Sequence, residues 1–224
     1  MEAPKVLIIG IGNLLWADEG FGVRAVEAMH RLYEWPENVR LMDGGTQGLY
    51  LVQHVREADI LIVFDAVDYG LQPGTIKLVE GDEVPKFLGA KKISLHQTGF
   101  QEVLATAELL GGATQQLYLI GVQPVELDDF GGSLRDEMKA RIGPAIQHAI
   151  DFLGRFGIQG RLRDAPLPEA ETLACEHMVM SRYEAQRPSA EDACRFGDPR
   201  VLIMAEQAPG AAADQRPART PGAQ

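Results

Sequence analysis

Apolar residues along the chain alternate between short unbroken runs and longer stretches with helical spacing. Residues 5–9 (KVLII) form an apolar run that halts at Gly10, which predicts a buried strand. Val23, Val26, Met29 and Tyr33 then recur at helical spacing, so residues 19–33 predict an amphipathic helix, with Asp18 placed to cap it. Residues 39–42 give a second strand, closed by Asp43-Gly44-Gly45, and a helix over 48–56 leads to Ile60-Leu61-Ile62-Val63-Phe64. That run is the strongest strand signal in the chain, and it stops at Asp65.

Pro73-Gly74 marks a turn before residues 75–79 (TIKLV), expected as a further strand, antiparallel at an edge. Residues 100–110 read as a helix stopped by Gly111-Gly112, and 117–122 as the next strand. Ser133 and Asp136 resemble a capping pair opening a helical region that runs to about Phe156, with Pro144 as a possible kink. Strands alternating with helices predict an α/β fold. The expected architecture is a three-layer sandwich, a mostly parallel twisted sheet of about five strands with helices on both faces.

The character changes after Gly160. The last 64 residues hold seven of the 13 prolines and no lysine. Residues 1–160 are therefore expected as one domain, 161–205 as a partly helical extension, and 206–224 as a disordered tail. Within the extension, residues 173–185 are a candidate helix, and Pro188-Ser189 with Asp192 a candidate start for another.

A formal net charge of -11 argues against nucleic acid or an anionic membrane as the main partner. No basic-then-apolar leader and no apolar run near the roughly 20 residues of a membrane span is present, so a cytoplasmic protein is expected. Cys175 and Cys194 are the two cysteines and read as free thiols. His30 and His54 fall within helical patterns and read as packing or surface residues.

Gly10-Ile11-Gly12, between a strand and a helix, invites a dinucleotide-binding reading. Two features resist it. Leu15 stands where the third glycine belongs, and Asp18-Glu19 open the helix where a pyrophosphate would sit. A helix N-terminus favours an anion by roughly 0.3–1 kcal/mol. A carboxylate about 5 Å from a phosphate charge costs on the order of 3 kcal/mol at an effective dielectric near 20. Repulsion wins, a cation is the better guest, and the glycines are read as letting another molecule approach.

Ligands of open α/β sheets bind beyond the carboxyl ends of the strands, where strand order reverses. Glu19 follows the first strand, Asp65 ends the third, and His96 lies in the segment before the helix at Phe100. If the first and third strands are neighbours in a 2-1-3 order, Glu19 and Asp65 face one crevice that His96 can reach. Two carboxylates and an imidazole suit a borderline divalent metal with open positions. Separations of 46 and 31 residues make no local metal motif, so the convergence depends on the fold. Asp43 is a fourth acid on the same rim, with turn chemistry as its simpler role. Asp68 reads as a turn residue.

The segments G-x-G-N-x-L-x-x-D-E-x-x-G-V (Gly10 to Val23), D-G-G-T (Asp43 to Thr46), D-A-x-D (Asp65 to Asp68) and S-x-H-Q (Ser94 to Gln97) occur in that order. Together with Gly121-Val122-Gln123-Pro124, this set resembles the hydrogenase maturation endopeptidases, also grouped with aspartic-type peptidases, over residues 5–156. The resemblance implies an endopeptidase that removes a C-terminal extension from the large-subunit precursor of a nickel–iron hydrogenase after nickel insertion. It implies Glu19, Asp65 and His96 as metal contacts, with Asp65 and Glu19 catalytic. The nickel would belong to the precursor and would not be held permanently, and the protein would act as a monomer. Whether the metal or a carboxylate activates the attacking water stays open. Two rivals remain: a Rossmann-like nucleotide-binding module with Asp43 on a ribose, and a non-catalytic nickel chaperone.

Overall fold

A computed structural model of the chain describes residues 3–89, 95–112, 114–173 and 175–188. The chain divides into two units, Met1–Arg187 and Pro188–Gln224, and every element of the fold belongs to the first. Of the helix start expected at Pro188-Ser189 and Asp192, Ser189 and Asp192 lie outside the described residues, as do the tail 206–224 and Cys194.

In chain order the elements are β1 (Val6–Ile11), α1 (Phe21–Leu32), β2 (Tyr33–Glu34), β3 (Val39–Gly45), α2 (Val52–Arg56), β4 (Ile60–Ala66), β5 (Ile76–Glu80), α3 (Glu83–Gly89), α4 (Leu95–Leu109), β6 (Gln116–Val122), α5 (Asp136–Gly154), β7 (Arg161–Leu162) and α6 (Met180–Ala185). The main sheet has five strands in the order β3-β1-β4-β6-β5. β3, β1, β4 and β6 are parallel, and β5 runs antiparallel at the edge. The expected 2-1-3 order of the first three long strands is the observed β3-β1-β4.

The apolar runs become central strands because both faces are covered. β1 and β4 are buried at every position. Ile8, Ile60, Ile62, Phe64 and Ile120 point into one core with Phe21, Val26 and Met29 of α1 and Met138, Ala149 and Phe152 of α5. Leu7, Ile9, Leu61, Val63 and Leu119 point the other way, against Val52 and Val55 of α2 and Val103 and Ala107 of α4. Each such Val, Leu, Ile, Phe or Met side chain contributes about 1.5–3 kcal/mol when fully buried.

The glycines after β1 bring the chain's own helix close. A Cβ on Gly22 would lie 2.2 Å from the Phe64 carbonyl oxygen and 2.3 Å from that of Ile11. A Cβ on Gly10 would lie 2.1 Å from the Gly22 carbonyl oxygen. The expectation that these glycines admit another molecule is corrected: they let α1 rest directly on β1 and β4. Gly12, at φ 135°, turns the chain into the segment carrying Glu19, whose carbonyl oxygen a Cβ there would strike at 1.8 Å.

Several helix starts differ from expectation. Residues 17–20 form a 3-10 turn before α1, so Glu19 sits in the turn, and Asp18 makes no capping bond. α4 begins at Leu95, which puts the backbone of His96 in its first turn. α5 runs unbroken through Pro144 and has no side-chain cap; Ser133 Oγ donates to Glu184 Oε1 at 2.7 Å instead. The helix expected over 173–185 is a 3-10 turn at Glu176–Met178 followed by α6.

Residues 161–187 pack along α1. β7 pairs antiparallel with β2, the Arg163 and Leu167 amides donate to the Leu32 and Arg31 carbonyls, and Arg31 Nε donates to the Leu167 carbonyl. Beneath this segment lies a buried pair, Arg24–Glu27 at 3.3 Å. Arg24 also donates to the Met178 carbonyl and lies 5.9 Å from the centre of the Tyr183 ring, while Thr172 donates to Glu27. Burial pushes the Arg24 guanidinium down from its ordinary value, against the opposing pull of Glu27 and Glu184.

Candidate active site

Asp65 is fully buried and sits at the carboxyl end of β4, opposite Gly121 of β6. The turn carrying Glu19 packs against β4, and Glu19 is half-buried there. The parallel pairing of β1 with β4 and the seating of Gly22 on Phe64 thus bring these two carboxylate-bearing segments to one rim. α4 leads through Gly112 into the amino end of β6. Fifteen helical residues rise about 22 Å, which puts its first turn at the carboxyl-end rim. The backbone of His96 is therefore on that rim, while its side chain lies outside the described residues.

Ala17, at φ 39° and buried, is the sole non-glycine among the described residues in the left-handed region. Strain of this kind costs on the order of 1–3 kcal/mol and persists where surrounding structure enforces it. Here the enforcement comes from Asp18, which is fully buried. Its Oδ2 accepts the amides of Val125 and Glu126, both at 2.9 Å, and its Oδ1 accepts the Arg135 amide at 2.8 Å. Asp18 is not a helix cap but the pin that fastens the β6–α5 connection to the Glu19 turn.

Tyr69 was not singled out by the sequence. Its ring lies so close over β6 that a Cβ on Gly121 would meet its hydroxyl at 2.4 Å. Burial raises the Tyr69 pKa well above the usual phenol value, and the nearby Asp65 charge raises it further, so Tyr69 stays neutral beside Asp65. Buried Gln123 holds this loop: its Oε1 accepts the Tyr69 and Leu71 amides at 2.8 and 3.1 Å, and its Nε2 donates to Asp68 Oδ1 at 2.9 Å. Asp68 also accepts the Gly70 amide at 2.8 Å, the turn role expected of it.

Asp43 ends on the α1 side of the sheet. Burial raises its carboxyl above the ordinary value, with Glu27 adding to the rise, while the Gly45 amide and Arg24 oppose it. It therefore has the turn role and a link to the Arg24–Glu27 pair. His54 meets Arg40 at 3.1 Å and His30 the Glu171 carbonyl at 3.0 Å, both as surface contacts, and Cys175 is a free, exposed thiol. A cavity of about 390 Å³ lined by Lys5, Glu37, Arg40, His54 and Glu57 lies at the amino ends of β1 and β3, away from Glu19 and Asp65. Among the described residues, no three or more His, Cys, Asp or Glu side chains group as a metal cage, and no helix is long and apolar enough to cross a membrane.

An open parallel sheet with a buried carboxylate at the end of a central strand, and a second acid on the adjoining turn, defines an α/β protein with an acidic site at its carboxyl-end rim. Comparison with known proteins narrows the class. The hydrogenase maturation protease (HycI) family model matches residues 23–152. HupD, a hydrogenase expression/formation protein of Thiocapsa roseopersicina, is 62% identical over 199 residues, covering 89% of this chain and 90% of that protein. The hydrogenase 2 maturation protease of Escherichia coli is 37% identical over 162 residues, covering 72% of this chain and 98% of that protein. The solved structure of the maturating endopeptidase HybD from E. coli superposes with a TM-score of 0.67 at 34% identity, covering 72% of this chain and 97% of that one. The chain belongs to the hydrogenase maturation protease family, and it is a hydrolase that cleaves protein.

Proposed function

We propose that this protease removes the C-terminal extension of the large-subunit precursor of a nickel–iron hydrogenase after nickel has been inserted. The observation carrying the site is the wholly buried Asp65 at the end of β4, with the Glu19 turn packed against that strand. Glu19, Asp65 and His96 contact the nickel carried by the precursor, so an unloaded precursor is not engaged. Two carboxylates and an imidazole suit a metal that arrives with its own ligands, because they leave positions open.

In this scheme water adds to the scissile carbonyl carbon, the peptide C–N bond breaks, and the proton released by the water ends on the departing amine. In this reading Asp65 or Glu19 takes that proton as general base, in keeping with the grouping of the resembled family with aspartic-type peptidases. Tyr69 stays neutral beside Asp65. The enzyme acts in the cytoplasm as a monomer, with the precursor as its protein partner.

The test is substitution on the rim. Asp65→Asn and His96→Ala are expected to abolish the mass loss of nickel-loaded precursor while leaving the circular dichroism spectrum unchanged. Processing at the normal rate by Asp65→Asn would refute its role. Loss of folded structure in either variant would assign that residue to the fold instead.

A further inference from the structure

The Glu19 turn is held by more than β1 and α1. Residues 124–135 are laced to it: the Gly131 amide donates to the Leu15 carbonyl at 2.7 Å, the Asp18 amide to the Glu126 carbonyl at 3.2 Å, and Trp16 and Phe130 form an isolated antiparallel bridge with their rings 5.3 Å apart. The shape of this connection depends on Asp129. Its carbonyl accepts the Gly132 amide at 2.9 Å, and its carboxylate, 10% exposed, receives two guanidinium groups. One is Arg135 Nη2 at 2.9 Å. The other is Arg187 Nη2, at 3.3 and 3.1 Å from the two oxygens.

Arg187 lies beyond α6, at the end of the segment that crosses α1. Ser133 and Lys139 reinforce the same junction, both binding Glu184 Oε1 at 2.7 Å. The acids of this region, Glu19, Glu126, Asp128 and Asp129, repel one another across a short connection. Cations brought by a distant part of the chain relieve that repulsion where the connection meets the Glu19 turn.

We propose that Arg187 is a positioning residue of the processing site: by holding Asp129 it fixes the 124–135 connection, and through Asp18 the turn that carries Glu19. The 161–187 segment is then a working part of the enzyme and not an appendage. The segment is shared with the HupD relative, whose match over 199 residues must span it. The inference rests on Glu19 acting at the site.

The test compares Arg187→Ala, Arg187→Lys, Asp129→Asn and the Arg187→Ala/Asp129→Asn double variant in the full chain, with nickel-loaded full-length precursor as probe. Arg187→Ala is expected to lower kcat/KM about tenfold, the loss for a displacement smaller than the roughly 1 Å that costs about a hundredfold. Its melting temperature should stay close to that of the parent. Because a single nitrogen of Arg187 serves both oxygens, Arg187→Lys should recover most of the rate. Asp129→Asn, which also releases Arg135, should lose at least as much as Arg187→Ala, with no further loss in the double variant. Normal rates for Arg187→Ala, or multiplied losses in the double variant, would overturn the proposal. Glu19→Gln run alongside separates the failures. If Glu19→Gln processes normally, the site reading fails. If it is inactive while Arg187→Ala is unaffected, only the clamp fails.

Discussion

Asp18→Asn distinguishes a helix cap from an inter-loop pin. Asn and Asp are near equals as caps, so a capping role predicts a change of no more than about 0.5 kcal/mol. The pin is far less tolerant. Asp18 is fully buried and accepts three backbone amides, two on Oδ2 and one on Oδ1. An asparagine side chain offers one oxygen, so if it keeps Val125 and Glu126, its NH2 faces the Arg135 amide. The lost charge-assisted bond is worth about 1.5–3 kcal/mol, and the stranded amide costs about 1–3 kcal/mol more. The two remaining bonds also lose charge assistance. Allowing for local relaxation, the expected loss is about 3–5 kcal/mol. With a urea dependence of about 2–3 kcal/mol per molar, the unfolding midpoint should drop by roughly 1–2.5 M. A midpoint within about 0.3 M of the parent, at unchanged slope, would refute the pin.

Two further outcomes follow from local geometry. Gly22→Ala gains roughly 1 kcal/mol of helix propensity but drives a methyl to 2.2 Å from a backbone oxygen of β4, so α1 must lift. A net loss of about 3 kcal/mol is expected, seen as a melting temperature lower by about 6–12 °C, whereas a rise would contradict the close seating of α1. Burial raises the Asp43 carboxyl, so the folded protein binds this proton more tightly than the unfolded chain does. Its contribution is fullest below the unfolded value of about 3.9 and is lost as pH rises through the folded pKa. Asp43→Asn should remove that decline in urea midpoints measured from about pH 4 to neutrality, and a profile parallel to the parent's would contradict it.

The sheet was legible because β1 and β4 are continuous apolar runs ending at Gly10 and Asp65, because β3 closes at Asp43-Gly44-Gly45, and because β5 carries the alternation of an edge. Glu19 and Asp65 could be placed on one rim from strand order alone. What escaped has a common cause, since the partners are far apart in sequence. The acceptor role of Asp18 depends on amides 107–117 residues away, and the Tyr69 loop on Gln123 some 54 residues on. The start of α4 was hidden because LHQTG has no apolar repeat, and α3 because its short sequence EVPKFLG contains a proline. The packing of residues 161–187 on α1 uses side chains of α1, Arg24, Glu27, His30 and Arg31, whose partners lie 136–154 residues away.

The most direct measurement is the mass of the large-subunit precursor after exposure to the parent enzyme and to Asp65→Asn, with nickel-loaded and nickel-free precursor side by side. The account requires loss of the C-terminal extension only from loaded precursor with the parent enzyme, and an unchanged mass in the other three combinations. Cleavage of nickel-free precursor would contradict the metal checkpoint, and an intact loaded precursor with the parent enzyme would contradict proteolysis of this substrate.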